Sequence, residues 1–499
     1  MILLGIDLGS SSVKASLLDA AGGDVIGSGQ YPKTEMAIDA PQPGWAEQDP
    51  AAWEDAMARA VAAALRQAGR DAGDVGAVGI GYQMHGLVCL DADRRVLRPS
   101  IIWCDSRAVE IGRSAFDAIG HDACLGRTLN APGNFTASKL AWVKQNEPEV
   151  FAEIDKIGLP GDYLAARLTG ELVTTASGLS EGILWDFRDD GPADLVLDHY
   201  GIPRAMLPPV VPTFGAQGEL SEQGAAMLGL RPGTPVTYRA GDQPNNALSL
   251  NVLNPGEVAA TAGTSGVVYG VSGGVAYDPR SRINSFAHVN HTADDPRLGL
   301  LLCVNGTGIA NAWARRTLGG DLDYPALNDL AEQAPPGSDG LCVLPFGNGA
   351  ERMLGNADIG AHLAGADFNR HGRAHVARAT QEGIAFALAY GMDVLRETGV
   401  DLSVIRAGRA NLFLSPLFRR TLATLTGARI ELYDTDGSAG AARGAGIGAG
   451  VYATPAEAFA SLTCLETIEP DPGDEAALED ACARWTEALD RQLAAYDSD

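Results

Sequence analysis

A short turn of small residues between two apolar runs occurs twice in this chain. The first turn, Gly9-Ser-Ser-Ser12, follows the run Ile2–Asp7 and precedes Val13–Asp19. The second, Gly263-Thr-Ser-Gly266, lies inside the apolar stretch Val258–Gly270. Each pattern predicts a strand, a tight turn and a second strand. Because the chain has 499 residues, which exceeds the size of one hydrophobic core, we predict that each pattern belongs to its own domain.

Helical patterns alternate with predicted strands in both halves of the chain. Asp49 is suited to cap a helix that begins at Pro50, and Val75–Tyr82 has the composition of a buried strand, with a shorter strand at Ile101–Trp103. Further helical runs are Ser138–Gln145, Asp162–Leu168, Gly308–Leu318, His375–Arg396, Ser415–Leu425 and Ala439–Tyr452. Strands interleaved with helices in two series predict an α/β fold of two domains with mixed sheets flanked by helices.

The boundary between the two series is expected where Asn254-Pro-Gly256 interrupts the pattern. We therefore expect a first domain over residues 1–248 and a second over residues 249–455. Residues 456–499 are expected to form a C-terminal extension that packs on the second domain or trails from it.

Charge and cysteine content narrow the classes of function. The formal net charge of −26 opposes binding to nucleic acid or to an anionic membrane surface. The seven cysteines include no C-x-x-C pair, so they indicate neither a zinc site nor a disulfide framework. The apolar run Met1–Ile6 is too short for a secretion signal, and we expect a cytoplasmic protein.

The two small-residue turns are candidate phosphate-binding loops. Glycine and small hydroxyl residues allow backbone N–H groups to approach an anion closely. Asp7, at the end of a predicted strand, is suited to hold a hydrated magnesium ion. The candidate phosphate-binding residues are Gly9, Ser10, Ser11, Ser12, Lys14, Gly263, Thr264 and Ser265. The alternative is that both turns are ordinary exposed hairpin turns, in which glycine and serine are also common.

A carboxylate follows the predicted strand Pro235–Tyr238. Asp242, with Gln243 and Pro244 after it, stands where a side chain in a cleft can accept a proton from an attacking hydroxyl. The alternative is a turn or cap role, which aspartate also favours.

A second polar string, Gln83, Met84 and His85, follows the predicted strand Val75–Tyr82. Glutamine and histidine offer donors and acceptors to a polyhydroxyl ligand, and methionine offers an apolar wall. Downstream, Trp103 and Asp105 with Arg107 are suited to shape a sugar pocket. The alternatives are a structural histidine and an ordinary surface pair of Asp105 with Arg107.

Two patterns are set aside. The glycines from Gly444 to Gly450 resemble a dinucleotide loop, but they lie inside a predicted helix, so close helix packing is the better interpretation. His371 and His375 are four residues apart without a third ligand between them. We therefore expect no metal that is held permanently by protein side chains.

Taken together, the chain resembles the FGGY family of carbohydrate kinases from Ile2 to about Tyr452. The resemblance rests on an ordered set of motifs: Gly5–Lys14, Pro43–Pro50, Gln83–Gly86, Arg98–Trp103, Lys139–Val143, Asp162–Gly170, Gly241–Asp242 and Gly263–Gly266. It implies two RNase H-like domains of the actin/hexokinase type, with a cleft between them that closes over ATP and a sugar.

The resemblance also implies roles for individual residues. Asp7 corresponds to the magnesium-associated aspartate, and Asp242 to the catalytic base. Met84 and His85 correspond to the sugar-contacting pair. The two turns correspond to the two phosphate loops, Thr264 and Ser265 belonging to the second. The Gln83–Gly86 string favours the branch of the family that acts on xylulose.

Three positions depart from the family pattern. Gln243-Pro244 replaces the asparagine that commonly follows the catalytic aspartate. The adenosine-binding run of glycines is reduced to Gly408, with Asn411 as a further candidate contact. In the second family signature, Gln381 replaces the expected leucine before glutamate.

The leading hypothesis from the resemblance is phosphorylation of D-xylulose by ATP with Mg²⁺, giving D-xylulose 5-phosphate. Alternatives are a kinase for another ketose or a polyol, such as ribulose or a gluconate-like substrate, and a non-catalytic actin-like protein. Homodimers are common among similar kinases, and the sequence leaves the oligomeric state open.

Overall fold

The computed structural model describes residues 1–70, 72–319 and 322–498. The chain forms two compact units, and both are assembled from segments that are separated in the sequence. The first contains residues 1–253, 286–298 and 435–462, and the second contains residues 254–285, 299–434 and 463–499. Within the described residues, no helix combines the length and the apolar composition that crossing a membrane requires.

Strands and helices alternate along the whole chain. The strands are β1 (Ile2–Leu8), β2 (Val13–Asp19), β3 (Val25–Tyr31), β4 (Glu47–Gln48), β5 (Val75–Tyr82), β6 (Val88–Leu90), β7 (Ser100–Ile101), β8 (Lys156–Gly158), β9 (Thr174–Thr175), β10 (Trp185–Asp186), β11 (Gly191–Pro192), β12 (Val210–Val211), β13 (Val236–Gly241), β14 (Glu257–Ala262), β15 (Gly266–Ser272), β16 (Asn284–Ala287), β17 (Leu298–Val304), β18 (Cys342–Phe346), β19 (Gly360–Ala364), β20 (Val404–Gly408), β21 (Arg429–Tyr433) and β22 (Cys464–Ile468). The helices are α1 (Pro50–Ala68), α2 (Val109–Ile119), α3 (His121–Thr128), α4 (Thr136–Asn146), α5 (Pro148–Glu153), α6 (Pro160–Thr169), α7 (Ala176–Glu181), α8 (Asp194–Tyr200), α9 (Glu222–Leu228), α10 (Asp242–Ser249), α11 (Gly308–Leu318), α12 (Tyr324–Ala331), α13 (Arg373–Glu397), α14 (Pro416–Thr426), α15 (Gly437–Gly448), α16 (Pro455–Ala458) and α17 (Glu475–Tyr496).

The main sheet of the first unit is mixed, with the strand order β13-β5-β1-β2-β3. Strand β1 is antiparallel to β2 and parallel to β5, and β5 is parallel to β13. The carboxyl ends of β1, β5 and β13 therefore meet at one edge of this sheet. In open α/β sheets, that edge is where ligands bind.

Helix α1 shows how the sequence determines a local element. The side chain of Asp49 accepts a hydrogen bond from the backbone of Ala51, and Pro50 is the first helical residue, as predicted. Trp53 and Met57 lie on the buried face of the helix. The capping residues and the apolar stripe thus place this helix against the sheet, where it packs on β3 and β2.

The second unit repeats the layout of the first. Its sheet has the order β16-β17-β15-β14-β20-β21-β22. Strand β14 is antiparallel to β15 and parallel to β20, which is parallel to β21. Helix α13 is buried along most of its length, and Trp485 of α17 is fully buried, its indole donating to the backbone oxygen of Val343.

The predicted α/β class with mixed sheets is confirmed, and most element boundaries move by one or two residues. Helix α11 has the predicted bounds. The strand predicted at Ile101–Trp103 is wrong in position, because the ladder pairs Ser100 and Ile101 with β4. The last predicted helix ends at Gly448, before a turn, rather than at Tyr452.

The glycines of α15 serve close packing, as predicted. A Cβ on Gly444 would lie 2.6 Å from the ring of Tyr238, and one on Gly448 would lie 1.9 Å from the backbone oxygen of Thr237. Because larger side chains do not fit, these glycines allow α15 to lie directly against the first sheet.

Candidate active site

Three predicted site motifs meet at the carboxyl edge of the first sheet. Leu8 of β1 is in register with Tyr82 of β5, and Tyr82 is in register with Gly241 of β13. Asp7 lies near the end of β1, Gln83 directly follows β5, and Asp242 directly follows β13. The sheet thus brings together a predicted metal-associated residue, the predicted sugar motif and the predicted base.

Asp242 is the first residue of α10 and is partly buried. The backbone N–H groups of Gln243 and Met84 favour the charged form of its carboxylate and so act to lower its pKa. Burial and the negative charge of Asp7 raise the pKa of Asp242 to about 7. A carboxylate with a pKa near neutrality is suited to accept a proton from a hydroxyl group.

A second carboxylate stands beside Asp7. Asp436 caps the start of α15, and burial together with the charge of Asp436 raises the pKa of Asp7 to about 6. The Nζ of Lys14 lies 3.9 Å from Asp436. When ionised, Asp7 and Asp436 carry two negative charges, and Lys14 supplies one positive charge. A divalent cation can neutralise the negative charge that remains.

This donor set fits a hydrated magnesium ion better than a metal held by protein alone. Among the described residues there is no cluster of three side chains with the arrangement of metal ligands. Mg²⁺ is commonly bound through one or two carboxylates, with waters and substrate phosphates completing its shell. Asp7 and Asp436 fit that pattern.

The first small-residue turn is held by hydrogen bonds to its oxygen atoms. The backbone N–H of Gly9 donates to the oxygen of Ser12, which closes the turn. The other oxygens accept from outside the turn: the Ser10 backbone from Gln48, the Ser11 backbone from Met36 and the Ser12 hydroxyl from Gln30. The turn is therefore anchored from several directions.

Gln83 connects the sugar motif to this turn. Gln83 is buried, and its Nε2 donates to Oε1 of Gln48 at 2.9 Å, while Gln48 Nε2 donates to the backbone oxygen of Ser10 at 2.7 Å. Two amides in series thus join the residue after β5 to the turn after β1. Gln83 supports the geometry of both motifs.

His85 has a backbone conformation that few residues adopt. Its φ is +63°, in the left-handed region. The Nδ1 atom lies 2.9 Å from the backbone oxygen of Glu181, and the ring contacts Phe135 and Phe286 with centroid separations of 4.7 and 5.4 Å. The Nζ of Lys139 donates to the backbone oxygen of His85 at 2.8 Å. Both the turn and the ring are therefore fixed.

Met84 packs against the end of β13. A Cβ on Gly241 would lie 2.5 Å from Met84 Cγ and 2.3 Å from an oxygen of Glu181. Glu181 is fully buried, and burial with the charges of Asp242 and Asp162 raises its pKa well above the ordinary value. Gly241 is thus the residue that lets the sugar motif approach Asp242.

The structure separates the roles of Trp103 and Asp105. Trp103 is half exposed, whereas Asp105 is completely buried. The Asp105 carboxylate accepts from the guanidinium of Arg107 at 2.7 Å and from the backbone of Ala46 at 2.6 Å. The interpretation of Asp105 and Arg107 as a surface pair is wrong, because both side chains are buried.

Gln243 is partly buried next to Asp242.

The second unit contains a cavity of about 650 Å³. It is lined by Ala262, Gly263, Thr264, Gly308, Ile309, Asn311, Ala312, Tyr324, Pro325, Asn328, Asp329, Asn411, Leu412, Leu414, Ser415 and Pro416. Its volume lies within the usual range for small-molecule sites. Apolar and aromatic walls beside a turn of small residues fit the base and the phosphates of a nucleotide.

Three of the five nucleotide residues predicted in the second unit line this cavity. Gly263, Thr264 and Asn411 line it, and a Cβ on Gly263 would lie 3.6 Å from the Asn411 side chain. Gly408 ends strand β20 without lining the cavity, and Ser265 directly precedes strand β15.

Sequence reasoning missed several residues at both places. In the first unit they are Glu181, Asp436 and Lys139, and in the second they are Asn311, Tyr324 and Asn328. Of these, Lys139 carried a signal, since it is a charged residue inside the apolar helical run Ser138–Gln145. The others are brought to the site by long-range packing.

Comparison with known proteins identifies the family. The model of the N-terminal domain of the FGGY family of carbohydrate kinases matches residues 2–249, and the model of its C-terminal domain matches residues 258–453. The chain belongs to the FGGY family of carbohydrate kinases. It is therefore a phosphotransferase that acts on a sugar hydroxyl, with the two-domain fold of FGGY sugar kinases.

Individual FGGY relatives are similar over almost the whole chain. Xylulose kinase of Escherichia coli K12 is 33% identical over 483 residues, which cover 96% of this chain and 94% of the relative. The L-xylulose/3-keto-L-gulonate kinase of the same organism is 31% identical over 487 residues, covering 94% and 92%. The crystal structure of xylulose kinase from Rhodospirillum rubrum superposes with a TM-score of 0.89 at 26% identity and covers 100% of each chain.

Proposed function

We propose that this FGGY kinase phosphorylates D-xylulose at its 5-hydroxyl with ATP, giving D-xylulose 5-phosphate. The observation that carries the proposal is the meeting of Asp7, the Gln83–His85 string and Asp242 at one edge of the first sheet. Similarity to proteins named xylulose kinase supports the choice of sugar.

Asp242 is the general base of the proposed reaction. It orients the 5-hydroxyl and accepts its proton as the oxygen attacks the terminal phosphate of ATP. Asp242 stands at the start of α10, directly after the end of β13, and this position supports the role. The pKa of about 7 supports this role, because the group can both lose and accept a proton near neutral pH.

The sugar is bound by the residues around the base. Gln83, Met84 and His85 contact it on one side, with Gln243 beside Asp242 and with Trp103 and Asp105 shaping the pocket. The fixed His85 ring supports this assignment, since a polar group held in one orientation can select the arrangement of hydroxyls on a sugar.

The two turns stabilise the phosphates. Gly9, Ser10, Ser11, Ser12 and Lys14 act in the first unit, and Gly263, Thr264 and Ser265 act in the second. Backbone N–H donors that are fixed before the reaction stabilise charge that develops in the transition state. The cavity of the second unit binds the rest of ATP, with Asn411 in its wall and with Gly408, outside the wall at the end of β20, as a further nucleotide residue. Magnesium, when bound near Asp7 through water, neutralises negative charge on the phosphates.

A second candidate function is a kinase for a different ketose or sugar acid. Two features favour it: Gln243-Pro244 follows Asp242 where the family resemblance implies asparagine, and a similar kinase is named for L-xylulose and 3-keto-L-gulonate. This second candidate differs from the first only in its substrate, and it keeps the same fold and the same catalytic base.

ADP release with Mg-ATP and a panel of sugars separates the two candidates. The panel is D-xylulose, L-xylulose, D-ribulose, L-ribulose, gluconate and glycerol, each over a range of concentrations. The highest kcat/KM with D-xylulose supports the proposal. A higher kcat/KM with another sugar would support the second candidate and indicate that Gln243 and its neighbours determine the substrate. ADP release at the same rate with and without each sugar would contradict both candidates.

A further inference from the structure

A buried amide lies directly behind the wall of the second-unit cavity. Gln381 of α13 is fully buried, and its side chain joins two residues that line the cavity. The hydroxyl of Ser415 lies 2.6 Å from Gln381 Oε1, and Gln381 Nε2 lies 2.9 Å from Asn328 Oδ1. A buried amide on α13 thus connects two separate residues of the cavity wall.

The hydrogen bond that Ser415 already accepts determines which groups donate in the two hydrogen bonds of Gln381. Ser415 caps α14, and its Oγ accepts the backbone N–H of Phe418. Its hydroxyl hydrogen is then available to donate to Gln381 Oε1, which leaves Gln381 Nε2 to donate to Asn328 Oδ1. The amide oxygen of Asn328 is thereby occupied, and its N–H₂ group is turned away from Gln381.

Asn328 lines the cavity together with residues that suit a base. It lies one helical turn after Tyr324 on α12, so both side chains project from the same face of the helix. Pro325, Leu412 and Leu414 add apolar surface to the same cavity. Flat apolar walls with one oriented polar group are the usual surroundings of a bound base.

We propose that Gln381 is a positioning residue for recognition of the base of a purine nucleotide. It holds the Asn328 amide with its N–H₂ group toward the cavity, so that this end of the site binds a ring nitrogen or a carbonyl oxygen of the base. The inference rests on the proposed function, in which this cavity binds ATP. Without Gln381, the Asn328 amide can rotate and present its oxygen instead.

Calorimetric titration of the full chain with ADP and with inorganic pyrophosphate tests this inference. Gln381→Leu and Asn328→Ala are each expected to weaken ADP binding roughly three- to tenfold, the contribution of one oriented hydrogen bond. The double variant is expected to bind ADP no more weakly than Asn328→Ala, because Gln381 acts through Asn328. Asn328→Asp, which presents only acceptors, is expected to bind ADP more weakly than Asn328→Ala. Pyrophosphate binding is expected to be unchanged in every variant.

Thr380→Val is the matched control. Thr380 neighbours Gln381 on the same buried helix, but its hydroxyl donates to the backbone of Val376. If Gln381→Leu lowers the melting temperature strongly, Gln381→Met replaces it, because methionine keeps the length of the side chain.

Three outcomes would overturn the role of Gln381 and leave the proposed function standing. They are additive losses in the double variant, equal weakening of pyrophosphate binding, and ADP binding that is unchanged in the Gln381 variants. Absence of ADP binding by the unaltered chain would overturn the nucleotide assignment of the proposed function as well.

Discussion

The Nζ of Lys139 donates a hydrogen bond to the backbone oxygen of His85 at 2.8 Å. Lys139 is completely buried on α4, and His85 occupies the left-handed region of backbone space with φ of +63°. A conformation of this kind persists only when surrounding contacts hold it. The buried side-chain nitrogen of Lys139 therefore stabilises the turn that carries His85, the proposed sugar-binding histidine.

Replacing Lys139 is expected to affect the sugar rather than the nucleotide. In Lys139→Met the backbone oxygen of His85 loses its donor, and we expect the KM for the sugar to rise about tenfold with the KM for ATP unchanged. Steady-state kinetics with each substrate varied separately measures the split. Lys144→Met is the control on the same helix, since Lys144 donates to Tyr200 and Gly201 instead. Equal changes in both KM values would show general loss of structure.

Lys139 also predicts how stability depends on pH. Burial lowers the pKa of Lys139 to about 7, while the charges of Asp105 and Glu181 and the thiol of Cys104 act to raise it and Arg107 acts to lower it. The unfolded chain keeps this lysine protonated up to its ordinary pKa of 10.5. Above pH 7 the unfolded state therefore binds more protons than the folded state, so that the free energy of unfolding rises with pH.

Denaturant unfolding at pH 7 and pH 9 tests this dependence. Relative to Lys139→Met, the unaltered chain is expected to gain on the order of 2 kcal/mol in the free energy of unfolding over that interval. Identical pH slopes for the two proteins would show that Lys139 stays protonated in the folded state.

Gly241→Ala is expected to impair catalysis through crowding. The new methyl group would lie 2.3 Å from a Glu181 oxygen and 2.5 Å from Met84 Cγ, so both side chains must shift next to Asp242. Displacement of a reacting group by about 1 Å can cost on the order of a hundredfold in rate, and we expect kcat/KM for the sugar to fall tenfold or more. Gly191→Ala is the control, because its Cβ would meet nothing closer than 3.8 Å. Unchanged kcat/KM in Gly241→Ala would contradict the close approach of the sugar motif to the base.

Much of the fold could be predicted because its signals are local. The turn after Ile2–Leu8 and the turn after Glu257–Ala262 are each bounded by apolar residues that must pair, and Asp49 with Pro50 specifies the start of α1. The glycines of α15 could be assigned to packing, because a helical pattern surrounds them.

The parts of the site that could not be predicted depend on contacts between distant segments. Asp436 lies next to Asp7 because residues 435–462 return to the first unit, which no local pattern shows. Glu181 and Asp242 both belong to the segment 1–253, and the fold of that segment places them close enough for their charges to interact. Gln381 departs from the family signature that the resemblance implies, but its partners Asn328 and Ser415 are visible only in the folded chain.

Asp242→Asn measures whether the carboxylate at the end of β13 acts as the base. The substitution keeps the size of the side chain and removes its ability to accept the proton, so D-xylulose-dependent ADP release is expected to fall on the order of 10²–10⁴-fold. Binding of D-xylulose and of ADP, measured by titration of the same preparation, is expected to stay within a few-fold of the unaltered chain. A variant that binds both ligands and retains most of its sugar-dependent ADP release would contradict the role assigned to Asp242.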